Sequence, residues 1–149
     1  MSSITGPHAP TMTDRDTAEV LKDVSKVKQY LKKLESAGAE PPKDLKAAII
    51  KLESAAKSGK DVSDAADEAH EELKKHTDNM KHDCKNIGKK HEENSKKGKK
   101  GTFQGKGATY TLDADADGSD MSQSLGDALR WLGPDAICKR WERCAEMAE

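Results

Sequence analysis

The apolar residues of the first ninety positions fall into stripes. Val20, Val24, Val27, Leu31 and Leu34 are separated alternately by four and three residues. That rhythm lays one apolar stripe along a helix and is the a/d pattern of a coiled-coil seam. Leu45, Ile49, Leu52 and Ala56 repeat it. A third run steps through Val62, Ala66, Ala69, Leu73, His76 and Met80, and Ile87 follows one heptad after Met80. The punctuation agrees with three helices. Thr13 or Asp14 and Asp61 can cap helix starts, because their side-chain oxygens accept from the free amides of a first turn. Gly38, Gly59 and Gly88 are natural stops, and Pro41-Pro42 suits a helix restart. Short turns between amphipathic helices predict an antiparallel, coiled-coil-like three-helix bundle over residues 13–88. Its Ala-rich layer (Ala47, Ala48, Ala55, Ala65, Ala66, Ala69) buries little area per residue. At about 25 cal/mol per Å² of apolar surface the seam supplies modest stability. The third helix outruns the second, so its end near Met80 to Ile87 is expected to lack an intramolecular partner. Self-association is the expected remedy.

The pattern changes after Gly88. Residues 89–107 are rich in Lys and Gly and nearly free of apolar side chains, the composition of an exposed flexible connector. At its end, TFQGKGATYTL alternates around Gly-Lys-Gly, as a short β-hairpin would. Leu125, Leu129 and Leu132 then mark one helical face, Gly133-Pro134 breaks and restarts the chain, and Ile137, Trp141, Cys144 and Ala148 mark another. Residues 108–149 therefore read as a small helical hairpin holding both Trp. So small a unit rarely buries enough surface to fold alone, and is expected to dock on the bundle, on a second copy or on another protein. Residues 1–12 carry no pattern and read as a disordered arm. The class is all-α.

Composition sharpens this picture. Charged residues make up 36% of the 149 and aromatics 3%, which favours helices with narrow seams over a thick sheet core. The net charge of −1 conceals an asymmetry. Residues 81–107 hold nine Lys against three acids, whereas 108–149 hold nine acids against four basic residues. Such blocks attract each other or separate partners. The start of the chain lacks the basic and apolar regions of a secretory signal, and no apolar run reaches the ~18 residues of a membrane span. Three irregularly spaced Cys do not make a disulfide framework. A cytoplasmic setting is expected, with no membrane partner.

The motif closest to a binding site is LDADADGSDMSQSL. Asp113, Asp115, Asp117, Gly118 and Ser119 stand at the spacing of the first half of a calcium loop, and in this half the segment resembles the EF-hand loop. The resemblance implies ligation by Asp113, Asp115 and Asp117 and by the Ser119 carbonyl. It stops there: Ser124 occupies the place of the closing bidentate Glu, and Asp120 that of the usual apolar residue. The same residues also make a helix start, with Asp120 as cap and Gln123 completing a capping box. The Lys strip, Lys96, Lys97, Lys99, Lys100 and Lys106 with Phe103 between them, would attract nucleic-acid phosphates but, having no Arg, offers no bidentate reading of bases. His76, His82, Cys84 and His91 do not have a zinc spacing. No nucleophile or phosphate-loop motif is present, so no catalysis and no cofactor are expected.

The sequence thus predicts a non-enzymatic module for protein–protein interaction and oligomerisation, most simply with itself. Leu125, Leu129, Leu132, Ile137 and Trp141 are its expected partner contacts, since buried aromatic and aliphatic anchors dominate interface energy. The alternatives are an accessory protein that binds nucleic acid through the Lys strip and a calcium-responsive protein using the loop from Asp113 to Ser124.

Overall fold

In a computed structural model, the structure describes residues 14–96, 101–112 and 118–146. Among them are five helices and a small sheet: α1 (Asp14–Ser36), β1 (Ala39–Glu40), α2 (Lys43–Lys57), α3 (Ser63–Lys96), β2 (Gly101–Gln104), β3 (Thr109–Leu112), α4 (Gly118–Leu132) and α5 (Pro134–Ala145). The protein is mostly helical, as its periodicity predicts, and the hairpin around Gly-Lys-Gly is present. None of these helices is long and apolar enough to cross a membrane.

The stripes are buried where the spacing puts them. Every named seam residue of α1 and α2, and those of the third run from Val62 to Ile87, is inside. Asp61 holds the start of α3, accepting hydrogen bonds from the Ser63 amide at 3.0 Å and its hydroxyl at 2.9 Å. The packing differs from a separate bundle with an appendage. α3 meets α2, α4 and α5, and α1 meets α2, α4 and α5, so one apolar core runs from Val20 to Cys144. α4 covers the far half of α3, where the Ser122 hydroxyl donates to the Cys84 carbonyl, and α5 lies nearer its start, with His70 3.6 Å from Glu142; a bundle of residues 13–88 alone would leave these faces bare. Trp141 of α5 is fully buried in this core, and Arg140 beside it reaches Asp23 of α1 with two hydrogen bonds, at 2.7 and 2.8 Å.

Of the expected connector 89–107, the described residues 89–96 are helical and 101–104 form a strand, while 97–100 lie outside the described residues. α3 runs through Gly88 to Lys96, and β2 begins at Gly101. Lys is a good helix former, and Lys81, Lys85, Lys89 and Lys90 lie on the exposed side of α3. Gly88 does not end the helix, and α4 begins against its backbone. A Cβ added at Gly118, the first residue of α4, would lie 2.9 Å from the Gly88 Cα. α4 therefore starts two residues before Asp120, which sits within its first turn, where its charge favours the positive end of the helix. The expected arm, residues 1–12, lies outside the described residues.

The sheet is antiparallel in the order β1-β3-β2. β2 pairs with β3 in the register Phe103 to Tyr110. The two residues of β1, between α1 and α2, pair with the other edge of β3, and the Thr111 amide donates to the Gly38 carbonyl at 2.8 Å. The hairpin is thereby fixed to the α1–α2 turn as well as to α3.

Trp141→Ala should remove a large part of the contact between α5 and the rest. The expected loss is about 3–5 kcal/mol, read as a lower urea midpoint. A loss under ~1 kcal/mol would mean that α5 is not integral to the core.

Candidate functional site

A densely bonded polar cluster lies where α3 meets the β-hairpin. The third apolar stripe steps from Met80 to Ile87, and the position between them in the same rhythm is Asp83. A charged residue thus stands in a seam, where ionised side chains occur only when paired. Asp83 is 5% exposed. Its carboxylate accepts from the backbone amides of Lys106 at 3.0 Å and Gly107 at 2.7 Å, and from the Tyr110 hydroxyl at 2.5 Å. Three donors replace the water it has lost, and bonds to an ionised acceptor are stronger than neutral ones.

His76, two helical turns earlier, completes the clamp. Its Nδ1 lies 3.0 Å from the Gly107 carbonyl, which can only accept, so Nδ1 carries the proton. Nε2 is then the acceptor for the Tyr30 hydroxyl at 2.8 Å. Burial is the largest influence on this imidazole and lowers its pKa from 6.5 to about 4, against the opposing pull of the Gly107 carbonyl and Asp83. Burial likewise pushes the Tyr30 phenol far above its ordinary value, with Cys84 adding slightly. Tyr110 moves the same way, through burial first and then the bond to Asp83. These groups hold the turn in place. The turn fits because Gly107 has no side chain: a Cβ there would lie 2.9 Å from the Met80 amide nitrogen.

Two clefts flank this turn, and Gln104 and Lys106 line both. One, of ≈ 380 Å³, lies toward α2 and carries Glu40, Asp44 and Glu72 against Lys43, Lys75 and Lys106. The other, of ≈ 280 Å³, lies against α3 and is lined by His82, Asn86, Lys90, Phe103, Lys106 and Tyr110 among others. Phe103 is half-buried, its ring 5.5 Å from that of Tyr110 and tilted by 37°.

The residues expected to act from sequence are distributed unevenly. Phe103 and Lys106 come together at the second cleft. Lys96 is exposed in the last turn of α3 and pairs with Glu92 at 3.2 Å, while Lys97, Lys99 and Lys100 lie outside the described residues. So do Asp113, Asp115 and Asp117, and Ser119 is exposed in the first turn of α4. Among the described residues no group of three or more His, Cys, Asp or Glu is placed to hold a metal ion. Leu125, Leu129, Leu132, Ile137 and Trp141 are brought together, but inside the chain's own core. They were expected to face a partner because a forty-residue hairpin seemed too small to shelter them; α3 and α1 provide the shelter.

The outward face of α4 shows what its stripe did not. Trp131 is 39% exposed, with the ammonium groups of Lys33 and Lys26 at 4.8 and 5.2 Å from its ring centre. Such contacts stabilise a cation over an aromatic face. A shallow groove between α1 and α4 includes Lys32, Lys33, Asp127, Ala128 and Trp131. Its sequence signal was a Trp standing off the Leu125–Leu129–Leu132 face.

No family model matches the chain, and no curated protein or solved structure matches it.

Two outcomes follow from the clamp. Asp83→Asn replaces one carboxylate oxygen with an NH2 that cannot accept, and should cost roughly 2–3 kcal/mol. The amides of Lys106 and Gly107 should then exchange with solvent before the rest of the core; unchanged protection would refute the clamp. The second outcome concerns pH. Unfolded, His76 takes up a proton near pH 6.5; folded, only near 4. Between those values the unfolded chain binds more protons, so stability present above about pH 6.5 is lost as pH falls toward 4. The slope due to this group approaches about 1.4 kcal/mol per pH unit. Urea titrations of wild type and His76→Gln across that window should differ by this slope; parallel curves would show that the ring is not held neutral.

Proposed function

We propose that the protein is a non-enzymatic protein–protein interaction module whose contact surface is the groove between α1 and α4 around Trp131. The observation that carries the reading is Trp131 itself. Among the described residues only it and Ile50 are large apolar side chains left exposed, and Trp is enriched among residues that dominate binding energy. Lys26, Lys32 and Lys33 surround it on α1, so the partner segment should pair an apolar side chain with carboxylates. Charge complementarity of this kind sets orientation and encounter rate.

The interior supports a structural over a catalytic role. The buried polar groups of the clamp bond to one another and to the backbone. The Cys138 thiol is pushed up to about 11, mainly by burial and then by Asp135. Burial also raises Cys84 and Cys144. Thiols held protonated are poor nucleophiles.

Self-association was expected because the seam of α3 seemed to want cover. α4, α5 and the hairpin give that cover within one chain, which favours a different protein as the partner. Sedimentation of the full chain should then report a monomer; a dimer dissociated by Trp131→Ala would make a second copy the occupant of the groove.

Partner chemistry is testable without knowing the partner. Peptides selected from a random display library by the full chain, and released by Trp131→Ala, should carry Asp or Glu beside an aliphatic or aromatic residue. Their affinity should fall tenfold or more in Trp131→Ala and several-fold in Lys26→Gln/Lys33→Gln. Selected peptides without acidic enrichment, or indifferent to Trp131, would end this reading.

A further inference from the structure

We propose that the cleft between α3 and the β-hairpin binds a nucleobase carrying a phosphate, as a free nucleotide or as part of a single-stranded nucleic acid. This site is separate from the Trp131 groove and does not rest on it.

The cleft is built rather than incidental. Gly105 and Lys106 line it from a turn that is fixed to Asp83 through two backbone amides, and Phe103, packed against Tyr110, lines it as well. An aromatic lining offers a flat apolar surface, and stacking on an aromatic side chain is the sequence-tolerant way proteins hold unpaired bases. The volume of ≈ 280 Å³ suits a small organic ligand better than a protein segment, and sites of this type combine an aromatic lining with few polar groups.

Charge decides between the two clefts beside the turn. The cleft toward α2 sets three carboxylates against three ammonium groups and gives an anion no preference. The cleft against α3 has Lys90 and Lys106 on its rim, and its one carboxylate, Asp83, already accepts three hydrogen bonds. Neither Lys90 nor Lys106 joins an ion pair among the described residues. Both are exposed, so both ammonium groups are available to a phosphate. Asn86 and His82 line the helix side, the Asn86 amide donating to the His82 carbonyl at 2.8 Å and lying 3.4 Å from the His82 ring nitrogen. A ring against Phe103 with its phosphate toward the two Lys uses every feature of the cleft. A phosphorylated peptide would use the Lys but leave the aromatic lining to a side chain of uncertain fit, so the nucleotide is the better match.

The test follows the amide NMR spectrum of the isotope-labelled full chain at low salt. Its probes are adenosine monophosphate, a short oligodeoxythymidine, inorganic phosphate and a phosphotyrosine peptide. The expected result is saturable shifts at Asn86, Lys90, Phe103 and Lys106 with the first two probes, weakening as salt rises, as phosphate contacts require. Affinity should fall about tenfold in Phe103→Leu, in line with the loss of one stacked base, and at least as much in Lys90→Gln/Lys106→Gln. If the oligonucleotide binds tenfold or more tighter than the mononucleotide, the ligand is single-stranded nucleic acid; equal affinities make it a free nucleotide. No saturable shift, equal binding of inorganic phosphate, or binding of the phosphotyrosine peptide alone overturns the proposal. So does wild-type affinity in a folded Phe103→Leu variant. Should Phe103→Leu fail to fold, the double Lys variant, altered only at exposed side chains, decides.

Discussion

A carboxylate buried in an apolar seam must find donors or the fold fails, and Asp83 finds them in the backbone of a turn more than twenty residues away. That requirement shapes half of the molecule. The hairpin contributes Ala108, Tyr110 and Leu112 to the core, but two short strands are marginal in water. It is held because Asp83 takes the amides of Lys106 and Gly107 while His76 donates to the carbonyl of Gly107. Three backbone groups of one turn are thereby satisfied by two side chains of one helix. β1 then extends the same sheet to the α1–α2 turn. The polar clamp thus fixes the non-helical part of the described structure to α3, and the cleft lies beside it.

The apolar part of the fold solves a different problem. Helices with narrow, Ala-rich stripes bury little area each, so stability requires that each stripe be covered along its whole length. α3 is longer than α1 or α2, and α4 and α5 cover what they cannot. The close approach of Gly118 to Gly88 and the hydrogen bond from the Ser122 hydroxyl to the Cys84 carbonyl at 2.6 Å bring α4 onto α3. The paired bonds of Arg140 with the buried Asp23 fix α5 to α1. An Arg–carboxylate fork of this kind adds orientation as well as energy. With the stripes covered from within, Trp131 stands out as the exposed aromatic that the core does not use.

The helices were legible in the sequence because their signal is local. Val20 to Leu34 and Leu45 to Ala56 announce their stripes by spacing alone, and the structure buries them all. What was not legible depends on contacts distant in sequence. Gly88 reads as a stop by local rules, and only the arrival of Gly118, whose own missing side chain lets α4 come close, shows that α3 continues past it to meet another helix. The two residues of β1 carry no strand signal, since their partner is Tyr110 and its neighbour seventy residues on. The Leu and Trp faces of α4 and α5 were correctly read as apolar but assigned to a partner, because spacing tells that a face is buried and not by what. The candidate site was half visible. Phe103 and Lys106 stood out by composition, whereas Asp83 was passed over although it fills the missing step between Met80 and Ile87. A charge in phase with an apolar stripe is a better pointer than a run of charges, for it states that something polar must come to meet it.

One stretch of α3 shows how much a single helix can carry when its faces are kept distinct. Asp83 and Ile87 lie on the buried side, where the hairpin turn and the core meet them. Cys84 and Gly88, one position on in each case, receive α4 through the Ser122 hydroxyl and the Gly118 backbone. Asn86 and Lys90, again at a spacing of four, line the cleft and remain exposed. At 3.6 residues per turn, residues four apart share a face, so three successive pairs address a polar clamp, a helix crossing and a basic rim. The three tasks differ in kind: a carboxylate without water, a stretch of backbone that the side-chain-free Gly118 can approach, and a long solvated cation. That they coexist within eight residues explains why this segment has neither the composition of a core helix nor that of a linker.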